Sequence, residues 1–127
     1  MATAPAFAAT PNRGSVVAST ANTNRDGTGT LATVFTAGSN GSRIDYVRLQ
    51  ARVTTAAGTV RLFLSDGTNK NLLKEQVTVG ATVSGTVAGE SYDYIPASPL
   101  ILKATETLLA CPNNSEAWVV TAFGGDF

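Results

Sequence analysis

Residues 43–54 read RIDYVRLQARVT, placing Val47, Leu49, Ala51 and Val53 on one side of an extended chain and Arg48, Gln50 and Arg52 on the other. Successive side chains of a strand point to opposite faces, so this period of two predicts a strand with its aliphatic side on a core. Its basic and polar side then faces solvent or a partner. Downstream, TAAG leads into TVRLFLS, where Val60, Leu62 and Leu64 oppose Arg61 and Phe63. The short glycine-containing link predicts a β-hairpin between the two runs.

The same texture continues in both directions. Ser15–Ala21 precedes a turn cluster centred on Asp26-Gly27, and Leu31, Thr33 and Phe35 alternate with Ala32, Val34 and Thr36 before the turn AGSNGS. After Phe63 come the turn Ser65–Asn69, a weaker run NLLKEQVTV, and a stretch broken by Gly80, Gly85 and Gly89 that predicts a bulged or mobile strand. Tyr92–Ile95 is stopped by Pro96 and Pro99, Leu100–Ala104 and Leu108–Cys111 flank the turn TET, and AWVVTAF alternates Trp118, Val120 and Ala122 against Val119, Thr121 and Phe123. Short strands punctuated every few residues by turn formers predict an all-β antiparallel β-sandwich, jelly-roll-like, as a single domain over residues 15–127. Residues 1–14 carry small side chains, Pro5, Pro11 and Phe7, and are expected to form an extended N-terminal arm.

Composition narrows the function class. Of 127 residues, 43% are hydrophobic and 14% charged, against roughly 25% charged in ordinary domains. Nine basic and nine acidic residues leave a net charge of +0, so there is no bulk basic field for nucleic acid or an anionic membrane, and self-association is favoured. No window approaches the roughly 18 apolar residues of a membrane span. The opening MATAPAFAATP lacks a cationic start and a continuous apolar stretch, so synthesis in the cytoplasm without a secretory signal is expected.

The residues for common catalytic sets are missing. The sequence has no His, which removes Ser-His-Asp and Cys-His arrangements and the commonest zinc ligand. Its single Cys, Cys111, ends an apolar run beside Pro112 and reads as a small buried hydrophobe. Lys70, Lys74 and Lys103 have no Ser three positions earlier, Asp66–Asn69 lacks the order of a calcium loop, and the glycines form no phosphate-binding pattern. Asn40-Gly41-Ser42 and Asn113-Asn114-Ser115 match a glycosylation pattern that turns explain equally well. Catalytic, cofactor and metal sites are therefore all expected to be absent. The alternative for catalysis is a pair drawn from Asp45, Glu90, Asp93 and Glu106 acting on a glycoside. Arg43, Arg48, Arg52 and Arg61 could form a basic stripe, with Tyr46 and Phe63 as the nearest aromatics, but a polar or protein-facing sheet surface is the expectation.

Three phrases, TAGSNGSRIDYVRLQA, AGTVRLFLSDGTN and AFGGDF, together resemble small virion structural proteins of tailed bacteriophages, of the capsid decoration or cement kind. The similarity spans roughly residues 36–127. It implies a sandwich or jelly-roll, often trimeric, seated outside the capsid shell at its local three-fold positions and bracing neighbouring major capsid protein subunits. By that resemblance the arm from Ala2 to Arg13 is the capsid contact, with Pro5, Phe7, Pro11 and Arg13 as candidate contact residues. The protein would be made in the host cytoplasm and reside in the virion. The competing reading is a tail-fibre, spike or other glycan-binding module using Tyr92, Tyr94 and Trp118 as ring platforms.

Overall fold

A computed structural model describes residues 9–127. Nine strands occur in this range: β1 (Thr10–Ala18), β2 (Ala32–Thr36), β3 (Ser42–Ala51), β4 (Gly58–Ser65), β5 (Lys70–Thr78), β6 (Ser91–Tyr94), β7 (Leu100–Leu102), β8 (Thr107–Pro112) and β9 (Trp118–Asp126). They form two antiparallel sheets. One runs β1-β9-β3-β6, with β7 also on β3, and the other runs β2-β8-β4-β5. The all-β sandwich is as expected, and no helix among the described residues is long and apolar enough to cross a membrane.

The core is the interior that the alternations point into. Val47, Leu49, Trp118, Val120 and Ala122 from the first sheet meet Val60, Leu62, Leu108 and Ala110 from the second, all fully or nearly fully buried. One irregularity decides the phase of β3. The register slips between Ile44, opposite Gly124, and Tyr46, opposite Phe123, leaving Asp45 as an extra residue. The bulge lets even-numbered Ser42 and Ile44 and odd-numbered Val47, Leu49 and Ala51 all face inward. The strand ends at Ala51, so Val53, expected on the core side, is 38% exposed.

The hairpin expected between β3 and β4 does not form. β3 is occupied on one edge by β9 and on the other by β6 and β7, so β4 has no free edge to join. The connection 52–57 instead crosses to the other sheet, pinned midway by a bridge between Thr55 and Ala81. The hairpin that does form is β4–β5, closed by Asp66, whose Oδ1 accepts the Thr68 and Asn69 N–H groups at 2.9 and 2.7 Å. Only the β4–β5 and β6–β7 connections stay within a sheet. β6 pairs with residues 47–50 of β3 and β7 with residues 42–44, so the two are one edge strand interrupted by the link carrying Pro96 and Pro99. No strand forms between Thr78 and Ser91, where a bulged or mobile one was expected.

Of the described part of the expected arm, residues 9–14, all but Ala9 belong to β1. Pro11 has no N–H to give a ladder, but β1 is an edge strand, where that donor is dispensable. Asn12 anchors the strand by donating to Asp126 Oδ1 at 2.8 Å. Asp126 also accepts from Ser42 Oγ, so one carboxylate ties β1, β9 and β3 together at one end of the sheet. At Gly14 the β2 backbone comes so close that a Cβ would stand 1.9 Å from the Val34 carbonyl oxygen.

That contact is backbone against backbone and cannot be relieved by a rotamer change. Gly14→Ala is expected to destabilise the protein by roughly 1–3 kcal/mol or more, whereas Ser15→Ala beside it should shift the urea unfolding midpoint far less.

Candidate docking surface

Each sheet has an outer face, and the two differ. Over the β2-β8-β4-β5 sheet lies the β1–β2 connection, which buries Phe63, Leu109 and Cys111 in a second apolar cluster with Leu31 and Leu72. The outer side chains of the other sheet find their partners in one another. The register sets them in cross-strand rows. Arg13, Phe123 and Tyr46 form one; Ser15, Thr121, Arg48 and Asp93 the next; Val17, Val119, Gln50 and Ser91 a third.

Neighbours within each row hold one another in place. Tyr46 and Phe123 stack with ring centroids 4.6 Å apart and planes 18° from parallel. Ser15 Oγ and Thr121 Oγ1 are 2.9 Å apart. Arg48 donates to both oxygens of Asp93, from Nε at 2.9 Å and from Nη2 at 3.3 Å, a forked pair that fixes both side chains. Val17, 41% exposed, lies in line with half-buried Val119 at the far end. The result is an ordered outer face of mixed aromatic, aliphatic and charged character.

Of the candidate contact residues, Arg13 belongs to the first row beside Phe123, and Pro11 is exposed at the start of the same strand. Pro5 and Phe7 lie outside the described residues. The Tyr46–Phe123 stack was not anticipated, because its members are far apart in sequence. The alternation in RIDYV and AWVVTAF does place both on outward positions, and that is the signal that could have found it.

Other candidates are dispersed. Trp118 is 1% exposed and packs at a tilt to Tyr92, so it offers no ring face to a glycan, and half-buried Tyr94 lies under Lys74 Nζ at 5.7 Å from the ring centroid. The basic stripe is split: Arg43 and Arg48 lie on the open sheet face, paired with Asp45 and Asp93, Arg52 follows β3, and Arg61 is buried beneath the opposite face with Phe63. Cys111 is buried as expected, and burial pushes its thiol upward against the opposing effect of Arg61.

The four acids considered for catalysis have separate surroundings. Asp45 and Asp93 are in the ion pairs just named, and Glu106 sits in the β7–β8 turn. Glu90 is a fastener, accepting from Thr55 Oγ1, from the Tyr92 hydroxyl at 2.7 Å, and from the Val79 and Gly80 N–H groups at 3.0 Å each. No group of three potential metal-ligating side chains converges among the described residues. Comparison with known protein families, with curated proteins and with solved structures finds no match to this chain.

The fasteners make a pH prediction. At Glu90 burial pushes the carboxyl upward, but the hydrogen bonds from Thr55, Tyr92, Gly80 and Val79 outweigh it and hold it below its ordinary value. Hydrogen bonds from Ser42 and then Asn12 hold Asp126 down likewise. Groups that bind protons less readily when folded stabilise the fold fully above the ordinary carboxylate range, near pH ~4, and lose that contribution as pH falls through their folded values. With no His to titrate, the urea midpoint should be level from about pH 8 to about pH 5 and fall below about pH 4. Glu90→Gln should lower the midpoint at neutral pH and shrink the acid decline.

Proposed function

We propose that this chain is a non-catalytic virion structural protein of a tailed bacteriophage, which binds the outside of the capsid shell and cements neighbouring major capsid protein subunits. The observation that carries the reading is the contrast between the two sheets: one outer face is roofed by its own chain, while the other is left open and pre-ordered, with Arg13 in its first row. Support also comes from where the resembling phrases fall, on β3, on β4 with its hairpin turn, and on the end of β9. The repeated crossing between sheets is compatible with the jelly-roll-like winding that the resemblance implies.

The size of the face bears on oligomeric state. Three rows, each two residues apart along strands about 4.8 Å from one another, give a patch on the order of 400 Å². A stable protein–protein contact usually engages about 800 Å² on each partner, so one such patch binds weakly. A homo-oligomer, with a trimer favoured, would present several patches at once and gain through effective concentration. Binding only the assembled shell then stabilises that shell by mass action, with no chemistry required.

The test uses particles prepared without this protein and then reconstituted. Wild-type chain is expected to bind saturably and raise the temperature at which the particles release their genome. Arg13→Glu with Val17→Glu, both exposed on edge strand β1, should bind at least tenfold more weakly and lose the protection while keeping the wild-type circular dichroism spectrum. Equal binding and protection by that variant, or images placing the protein on the tail, would overturn the reading.

A further inference from the structure

The β1–β2 connection, residues 19–31, crosses the second sheet on a few footholds. The Asn22 N–H donates to the Pro112 carbonyl at the end of β8, 2.9 Å away. Arg25 Nε donates to Glu75 Oε1 on β5 at 2.8 Å. Gly27, at φ 87°, lies so near β5 that a Cβ would stand 2.6 Å from Lys70 Cβ. Between these points the strap roofs β4. Its own shape is set by Asn22, whose Nδ2 donates to the Thr28 and Thr30 carbonyls at 2.9 and 3.0 Å.

What lies beneath does not match the strap. Residues 19–30 read STANTNRDGTGT, with Ala21 as the largest apolar side chain and exposed, so Leu31 alone enters the apolar cluster from this segment. Arg61, 3% exposed, meets the roof poorly: its Nη1 is 3.4 Å from the Asn22 carbonyl and 3.3 Å from Asn113 Oδ1. Its Nε is 3.7 Å from Glu75 Oε2 and has no hydrogen-bond partner among the described residues. Closing the strap therefore shelters Phe63, Leu109 and Cys111 but leaves a guanidinium under-bonded away from water. Opening reverses both effects. Segments with few buried apolar contacts open at lower free energy than the body they cover.

We infer that the strap is a latch that opens as a unit while both sheets stay intact, with Glu75 as its catch. One Glu75 oxygen grips Arg25 of the strap and the other faces Arg61 beneath it. The open form exposes Arg61 beside Phe63, Leu72 and Leu109 and returns the guanidinium to water.

Cys111 is the only cysteine in the chain and lies under the strap, so its thiol reports opening, while buried Trp118 between the sheets reports global unfolding. Full-length protein at constant pH is treated with N-ethylmaleimide across a urea series below the unfolding transition, and labelling is followed by mass spectrometry. Labelling is expected to depend weakly on urea and to outpace the labelling that the Trp118 fluorescence transition allows. Arg25→Ala and Glu75→Gln should each raise the rate, by about two- to fivefold, the range of a partly exposed ion pair. Arg25→Ala weakens the closed form alone, so it should lower the fluorescence midpoint by no more than the same free energy while labelling keeps its weak dependence on urea. Labelling with the same urea dependence as the fluorescence transition would overturn the latch, and rates unchanged in both variants would overturn Glu75 as its catch.

Discussion

β9 is the strand that the rest of the structure depends on. It pairs along its whole length with β1 on one side and β3 on the other, sends Trp118, Val120 and Ala122 into the core, and sends Phe123, Thr121 and Val119 to the open face. Asn12 and Asp126 bond across 114 positions of sequence. Until that distant closure is made, β1 and β3 lack the neighbour that buries their backbone donors and acceptors. A sheet assembled this way incurs the entropy of long loops before its contacts form, which makes slow folding the expected cost of the topology.

Carboxylates work in this fold as fasteners. Asp126 joins three strands at one end of the first sheet, Asp66 closes the β4–β5 hairpin, and Glu90 gathers residues from two connections and β6. In a chain with few charges, most acids are committed to turns, ties or ion pairs. That commitment gives the irregular stretch after β5 a defined conformation even though no strand forms there. Its glycine spacing suggested weakness, but the stretch is held by acceptors on Thr54, Thr55 and Glu90, which the spacing does not include.

The sequence was most informative where one strand has one job. The alternation in β3 placed Leu49 inside and Arg48 outside, and that in β9 set Trp118 and Val120 on the face opposite Phe123, because burial on one face imposes a period of two. Pairing partners were not legible: alternation says which side is dry but not which strand lies alongside, so adjacency made β3 and β4 look like a hairpin. The extra residue at Asp45 was hidden for a related reason, since a bulge preserves burial while shifting the count. Arg61 defeated the reading altogether. A charge at an outward position signals solvent, and only the strap, contributed some forty residues earlier in the chain, takes it from water. The open face was half legible, with Arg48 and Gln50 assigned outward and the β1 and β6 residues and all cross-strand neighbours out of reach.

The sheet edges are guarded differently from the faces. On the first sheet, one border is split by the proline-bearing link between β6 and β7, and the other carries Pro11 next to its first residue. On the second, β2 is short and bulged at Val34, and β5 carries Lys70 and Lys74. Such borders are poor templates for an incoming strand. Blunted borders on both sheets disfavour open-ended cross-β ribbons, so copies of this chain can be concentrated without polymerising through their edges.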